Sequence, residues 1–179
     1  MDPRLQEMLD HYEISKTLNE YCHSCDRCDV DGVTSVYVED SWDDHGAFQA
    51  TGPDFARAIV PNILETSESM YHLLGQSMIN VTGDEAGAET YFLAGARMPG
   101  DDGELVINQL GGRFVDRLER VDGAWKIKHR TVVRDWTIAI PLEKDWVLAT
   151  HLKPGLRSND DPSYAALGRV HGDAVKVPA

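Results

Sequence analysis

The apolar positions fall into two regimes along the chain. As far as Leu64 they recur at helical spacing, and from His72 onward they run in strand-like blocks separated by turns. Leu5, Met8, Leu9 and Tyr12, followed by Ile14, Leu18, Tyr21, Cys22 and Cys25, trace one face of a long first helix. Asp2-Pro3 marks its start, a capping side chain followed by a first-turn proline. The step of two between Tyr12 and Ile14 predicts a kink or a widened face. Val30, Val33 and Val36 place a short second helix from Asp29 to about Tyr37, and a short strand is expected within Ser41 to Phe48. Thr51-Gly-Pro-Asp opens a third helix carrying Phe55, Ile59, Ile63 and Leu64, bent at Pro61. Four strands follow at His72–Val81, Gly87–Met98, Leu105–Arg120 and Trp125–Ile138, divided by Gly/Asp turns. Joined this way they make an antiparallel meander, which Gly111 and Gly112 curve through a bulge. The predicted class is α+β: a cone-shaped α+β barrel with the N-terminal helices packed in the concave face of a curved antiparallel sheet. Residues 1–140 read as one domain. Residues 141–179, rich in proline, glycine and charge, read as an extended tail packing on the same or a neighbouring subunit.

Composition narrows the partners. At 179 residues the chain suits a single domain with a proper core. Its net charge of −13 repels phosphate backbones and anionic lipid, which argues against nucleic acid and membrane surfaces. The N-terminus has no basic-then-apolar signal pattern, and no apolar run approaches the ~20 residues of a membrane span. A cytoplasmic location is expected. Cys22, Cys25 and Cys28 beside His23 look ligand-rich, but a ferredoxin-type run would need a cysteine where Gly32 stands. No second Cys/His pair completes a zinc site. The thiols read as small apolar residues turned inward in a reducing compartment, with no metal and no cofactor.

Two short segments carry the candidate chemistry, Tyr21-Cys-His-Ser-Cys-Asp-Arg-Cys-Asp29 and Met70-Tyr-His-Leu-Leu-Gly-Gln76. The first leaves Asp26 at a helix exit and the second opens a strand at His72. An imidazole with an unperturbed pKa of ~6.5 accepts protons near neutrality, and a carboxylate on its far nitrogen fixes the tautomer. If the two meet, they form a general base; if not, Asp26 merely ends a helix and His72 is a core histidine. An apolar wall would strengthen the pair. Leu74 and Met78 share the strand parity of His72, and Tyr21, Cys22 and Phe55 are the helical contributors. Arg113, Arg130 and Arg134 lie on the last two strands, where an inward guanidinium would bind an oxyanion or a departing group. Parity from Trp125 and Ile127 favours His129 facing inward rather than Arg130, unless a bulge intervenes. Arg130 is the preferred candidate. Asp43, Asp44 and His45 form a polar knot, either a surface turn before Gly46 or a second acid/base group. Tyr37 and Trp42 read as core.

The order of elements, Asp26 at the helix exit and His72 at a strand opening resemble the nuclear-transport-factor-2-like superfamily in its polyketide-cyclase (SnoaL)-like branch. So do Gly112-Arg-Phe-Val-Asp-Arg-Leu-Glu-Arg-Val-Asp-Gly-Ala-Trp125, His129-Arg130, Asp135-Trp136 and Asp160-Asp-Pro-Ser-Tyr164. That branch includes scytalone dehydratase and hexachlorocyclohexane dehydrochlorinase. The resemblance implies a His72–Asp26 dyad and cofactor-independent proton abstraction followed by elimination. The substrate would be small, cyclic or aromatic, and hydroxylated. It also places Asp44 or His45 where scytalone dehydratase has a pocket tyrosine, and it implies a homo-oligomer, trimer or dimer. The chain departs from scytalone dehydratase at Gly95-Ala96, Gly112, Phe114 and Cys25, so the dyad carries over while the remaining site does not. An isomerase or cyclase of the same fold, a ligand-binding module and an oxygenase accessory subunit are the competing readings.

Overall fold

The structure, a computed structural model, describes residues 2–142 and 151–172. Helix α1 spans Pro3–Asp26 without interruption, so the irregular step at Tyr12 does not break it. Asp2 caps it by accepting from the Arg4 N–H. Ile14, Leu18, Tyr21, Cys22 and Cys25 are buried along one face, at the spacing of adjacent helical turns. The earlier turns differ from expectation, because Leu5, Met8, Leu9 and Tyr12 are exposed. Packing begins at Asp10, a buried carboxylate that accepts from Trp125 Nε1 at 3.2 Å and Arg120 Nη2 at 2.7 Å. Helix α2 covers Val30–Ser35, and α3 covers Gly52–Thr66, continuing through Pro61.

The strands are β1 (Tyr37–Asp44), β2 (Gln49–Ala50), β3 (Ser69–Thr82), β4 (Glu85–Pro99), β5 (Leu105–Val121) and β6 (Ala124–Pro141). They form one curved, unclosed sheet in the order β2-β1-β6-β5-β4-β3. The meander from β3 to β6 is antiparallel, and β1 joins it parallel to β6, which makes the sheet mixed. The helices supply one side of the core and the inward residues of the sheet the other. Phe92 stacks on Phe114 at 4.2 Å, and both share the core with Leu18, Tyr21, Val60 and Ile127. The class is α+β with helices against a curved sheet.

Three one-residue slips decide which side chains face that core. On β3, Leu74 pairs with Phe92 but Ser77 with Thr90, so one extra residue sits at Gly75-Gln76. On β6, Lys128 is extra between Ile127 and His129, and Asp135 is extra opposite Gly111-Gly112. Gly112 is required here, since a Cβ would run into the Val133 carbonyl oxygen.

Of the tail 141–179, residues 143–150 and 173–179 lie outside the described residues. Helix α4 (Pro162–Leu167), capped by Asp161, lies over the exit of α1. Tyr164 is buried and donates to Asp29 Oδ2 at 3.1 Å. Arg27 Nη1 donates to Asp161 Oδ2 at 3.1 Å, and His171 Nε2 lies 2.9 Å from the Arg27 carbonyl. Arg157 donates to the Ser67 carbonyl at 2.6 Å, tying the tail to the segment that leads into β3. All these contacts are within one chain, and they brace the helix end that carries Asp26.

Candidate active site

Helix α1 ends with Asp26 turned toward β3. His72 Nδ1 lies 2.7 Å from Asp26 Oδ1, and the His72 backbone N–H donates to Asp26 Oδ2 at 3.0 Å. Both side chains are almost wholly buried. A carboxylate can only accept, so an ionised Asp26 fixes the Nδ1–H tautomer and leaves the Nε2 lone pair free. Around the imidazole stand the rings of Tyr21 at 6.3 Å, Phe92 at 6.3 Å and Phe114 at 6.4 Å. Desolvation is therefore built into the site.

The slip at Lys128 turns Arg130 inward, against the parity read from Trp125 and Ile127. It is fully buried and faces Asp116 across β5, with Nε to Oδ1 at 2.8 Å and Nη2 to Oδ2 at 2.7 Å. The guanidinium lies 4.1 Å over both the Tyr21 and the Phe114 ring. Burial works against its charge, but Asp116 outweighs that and holds its pKa well above the usual arginine value. Its remaining nitrogen, Nη1, is buried without a hydrogen-bond partner.

The remaining candidates sort by contact. Tyr21 and Cys22 are buried on the α1 face toward this interior, and Leu74 packs against the same core. Burial pushes the Tyr21 phenol well above its usual range and the Cys22 thiol up to about 12, so both stay protonated. Phe55 on α3 stacks against His45, with centroids 4.4 Å apart. Met78 does not belong to the site. The extra residue at Gly75-Gln76 inverts parity beyond Leu74, and Met78 is left 75% exposed on the outer face. Asp44 is partly buried, and one of its oxygens accepts from the Gly46 N–H at 2.7 Å, which shapes the turn. Trp42, expected in the core, faces outward and is 42% exposed.

Its neighbour Asp43, read from the sequence only as part of a polar knot and given no role of its own, is the carboxylate that organises it. It is fully buried, it pairs in register with Arg130, and each of its oxygens has a partner. Tyr37 O–H donates to Oδ2, while His45 Nδ1 meets Oδ1. His45 Nε2 in turn lies 3.5 Å from the Tyr21 hydroxyl. An Asp-x-His triplet closing a strand is the only sequence signal for this arrangement.

Helices seated in the concave face of a curved sheet, with a carboxylate–imidazole pair between α1 and β3, define a cone-shaped α+β protein of the nuclear-transport-factor-2-like class. Within it, the chain belongs to the SnoaL-like domain family, whose model matches residues 6–131. No curated protein matches the sequence significantly. Among solved structures, it is similar to a candidate scytalone dehydratase from Novosphingobium aromaticivorans DSM 12444. The TM-score is 0.67 at 22% identity, covering 78% of this chain and 97% of that one. It is also similar to a type 3 hexachlorocyclohexane dehydrochlorinase from Novosphingobium barchaimii LL02, with TM-score 0.68 at 16% identity over 84% and 99%. The type 2 form of that dehydrochlorinase gives 0.70 at 15% identity over 86% and 99%. At these identities the likeness is one of fold. Among the described residues, no helix is long and apolar enough to cross a membrane, and no cluster of three or more His, Cys, Asp or Glu forms a metal site.

Proposed function

We propose that this protein is a cofactor-independent lyase in which His72 removes a proton from a small cyclic or aromatic hydroxylated substrate while a leaving group departs. The observation that carries this reading is the 2.7 Å contact between His72 Nδ1 and Asp26 Oδ1, inside a ring of aromatic side chains. Asp26 orients the imidazole and stabilises the imidazolium that forms. Arg130 is the proposed oxyanion donor, through its unpartnered Nη1. Tyr21, Cys22, Phe55 and Leu74 are the proposed walls. The neighbours named above include a candidate dehydratase and a dehydrochlorinase, both names of elimination enzymes, which supports the same reaction class here. Carbon–carbon cleavage belongs to the same reading, since deprotonating an alcohol can expel a neighbouring carbon fragment.

The catalytic domain is proposed to be residues 1–140, with 141–179 as a tail packing on the same or a neighbouring subunit, of which residues 156–172 brace the exit of α1. A cytoplasmic location is proposed on the three free thiols, which a reducing compartment keeps unpaired. A dimer or trimer is proposed through the outer sheet face, where Trp136, Ile138 and Ile140 are exposed.

The test compares the wild-type protein with His72→Ala across a panel of small hydroxylated cyclic and aromatic compounds. Binding retained with turnover lowered by about 10²-fold or more supports the lyase. A second reading, a non-catalytic ligand-binding member, is favoured by the packing of Tyr21, Arg130 and Phe114 beside the imidazole. Binding without turnover by the wild-type protein would put that reading ahead.

A further inference from the structure

We infer that His45, held by Asp43, is a second catalytic group that protonates an oxygen leaving group, and that the substrate is therefore a β-oxygenated compound rather than a halide. This inference rests on the lyase reading above.

The construction repeats that of His72 from separate parts of the chain. Asp43 is fully buried on β1, and its two oxygens take the Tyr37 hydroxyl and His45 Nδ1. A carboxylate so held keeps the proton on Nδ1 and orients the ring. Phe55 lies flat against the ring, 19° from parallel, and fixes its plane. Nε2 is left pointing at Tyr21 O–H across 3.5 Å, at the outer limit of a hydrogen bond. That nitrogen is therefore available for other work.

Tyr21 connects the two sites. Its ring is edge-on to His72 at 6.3 Å and to Tyr37 at 6.1 Å, while its hydroxyl faces His45. The charged and titratable groups that face His45 are thus Asp43, Tyr37 and Tyr21, with Arg130 behind Tyr21. The two imidazoles also differ in access. The His72 side chain is 7% exposed and that of His45 27%, so His45 can reload its proton from water while His72 stays dry.

Two histidines with separate carboxylates divide the labour of an elimination. His72 Nε2 takes the proton from carbon, and the C–H electron pair becomes the new C=C bond. The neighbouring C–O bond breaks with its pair on oxygen, and that oxygen takes the Nε2 proton of His45. Water or an alcohol leaves, His72 ends as imidazolium and His45 as neutral imidazole. Once product leaves and water takes its place, His72 gives its extra proton to that water and His45 takes one up from solvent, which resets the pair. Hydroxide and alkoxide are poor leaving groups and need this proton, whereas chloride does not. An acid beside the Tyr21 hydroxyl is thus fitted to oxygen.

The experiment uses three cyclic ketones that share one acidic C–H and carry hydroxyl, 4-nitrophenoxide or chloride at the β-carbon. His45→Gln is expected to lower kcat/KM for the hydroxy compound by about 10²-fold or more, and for the other two by less than about tenfold. Asp43→Asn, a positioning substitution, is expected to show the same split with smaller size. His72→Ala is expected to lower all three. Equal losses across the series in His45→Gln, or no loss on the hydroxy compound, would overturn the role of His45 alone. A wild-type protein inert toward all three compounds would overturn the lyase reading, and this inference with it. Residual turnover of the chloride by His45→Gln also reports that the variant is folded.

Discussion

Asp26 holds His72 at two points, accepting from the backbone N–H with one oxygen and engaging ring Nδ1 with the other. The same carboxylate thus fixes both the position of the β3 backbone and the rotamer of the imidazole. That is a tighter constraint than one hydrogen bond supplies, and it couples the end of α1 to a strand more than forty residues further along the chain. The tail contacts at Arg27 stiffen the other side of this joint. Preorganisation of this kind is what a proton-abstracting group requires.

Arg130 and Asp116 form a fully buried, doubly hydrogen-bonded pair. Removing one partner leaves an uncompensated interior charge. Asp116→Ala is expected to cost about 3–5 kcal/mol of unfolding free energy. Urea unfolding monitored by tryptophan fluorescence measures this, and a change under about 1 kcal/mol would contradict the buried-pair account.

Gly112 sits where β6 carries an extra residue, and the Val133 carbonyl occupies the space of any side chain. Gly112→Ala is expected to destabilise the protein by about 1–3 kcal/mol through forced backbone displacement. Gly87 on β4 has open space where a Cβ would stand, and Gly87→Ala serves as the control that leaves stability nearly unchanged. Thermal unfolding of the two variants side by side is the measurement.

Asp161 supplies a pH dependence with a definite sign. Burial raises its pKa, but hydrogen bonds from Ser163 and the Leu156 N–H, with Arg27 nearby, outweigh this and hold it well below the usual carboxylate range. Its folded pKa is below its unfolded one, so its contribution is fully present above the unfolded value of about 4 and fades as the pH falls through the folded value. Asp161→Asn is expected to flatten the wild-type loss of stability below about pH 4 while lowering stability at neutral pH. Urea midpoints measured from pH 7 to pH 3 test both parts.

The helices, the meander and the Asp26–His72 pair were legible because each has a local or family signal. Capping by Asp2 and Thr51, Gly/Asp turns and helical spacing fix the elements, and the resemblance supplies the pairing. What was not legible depends on single-residue slips. Strict alternation puts Met78 beside His72, and only the slip at Gly75-Gln76 sends it outside. The same arithmetic turned Arg130 outward until Lys128 is counted as extra. Asp43 was hidden for a different reason. Near the end of β1 Trp42 is exposed while its acidic neighbour is buried, the reverse of hydrophobic order, which is tolerable only because Tyr37 and His45 satisfy the carboxylate.

The central claim is that Asp26 fixes His72 as an Nδ1–H imidazole with its Nε2 lone pair free to take a proton. Long-range 1H–15N NMR on the full chain, labelled at histidine nitrogens, reads this directly for the neutral ring. The expected result is a protonated Nδ1 and a bare Nε2 at His72, with that preference lost in Asp26→Asn. A neutral His72 carrying its proton on Nε2, or a tautomer indifferent to Asp26→Asn, would contradict the account.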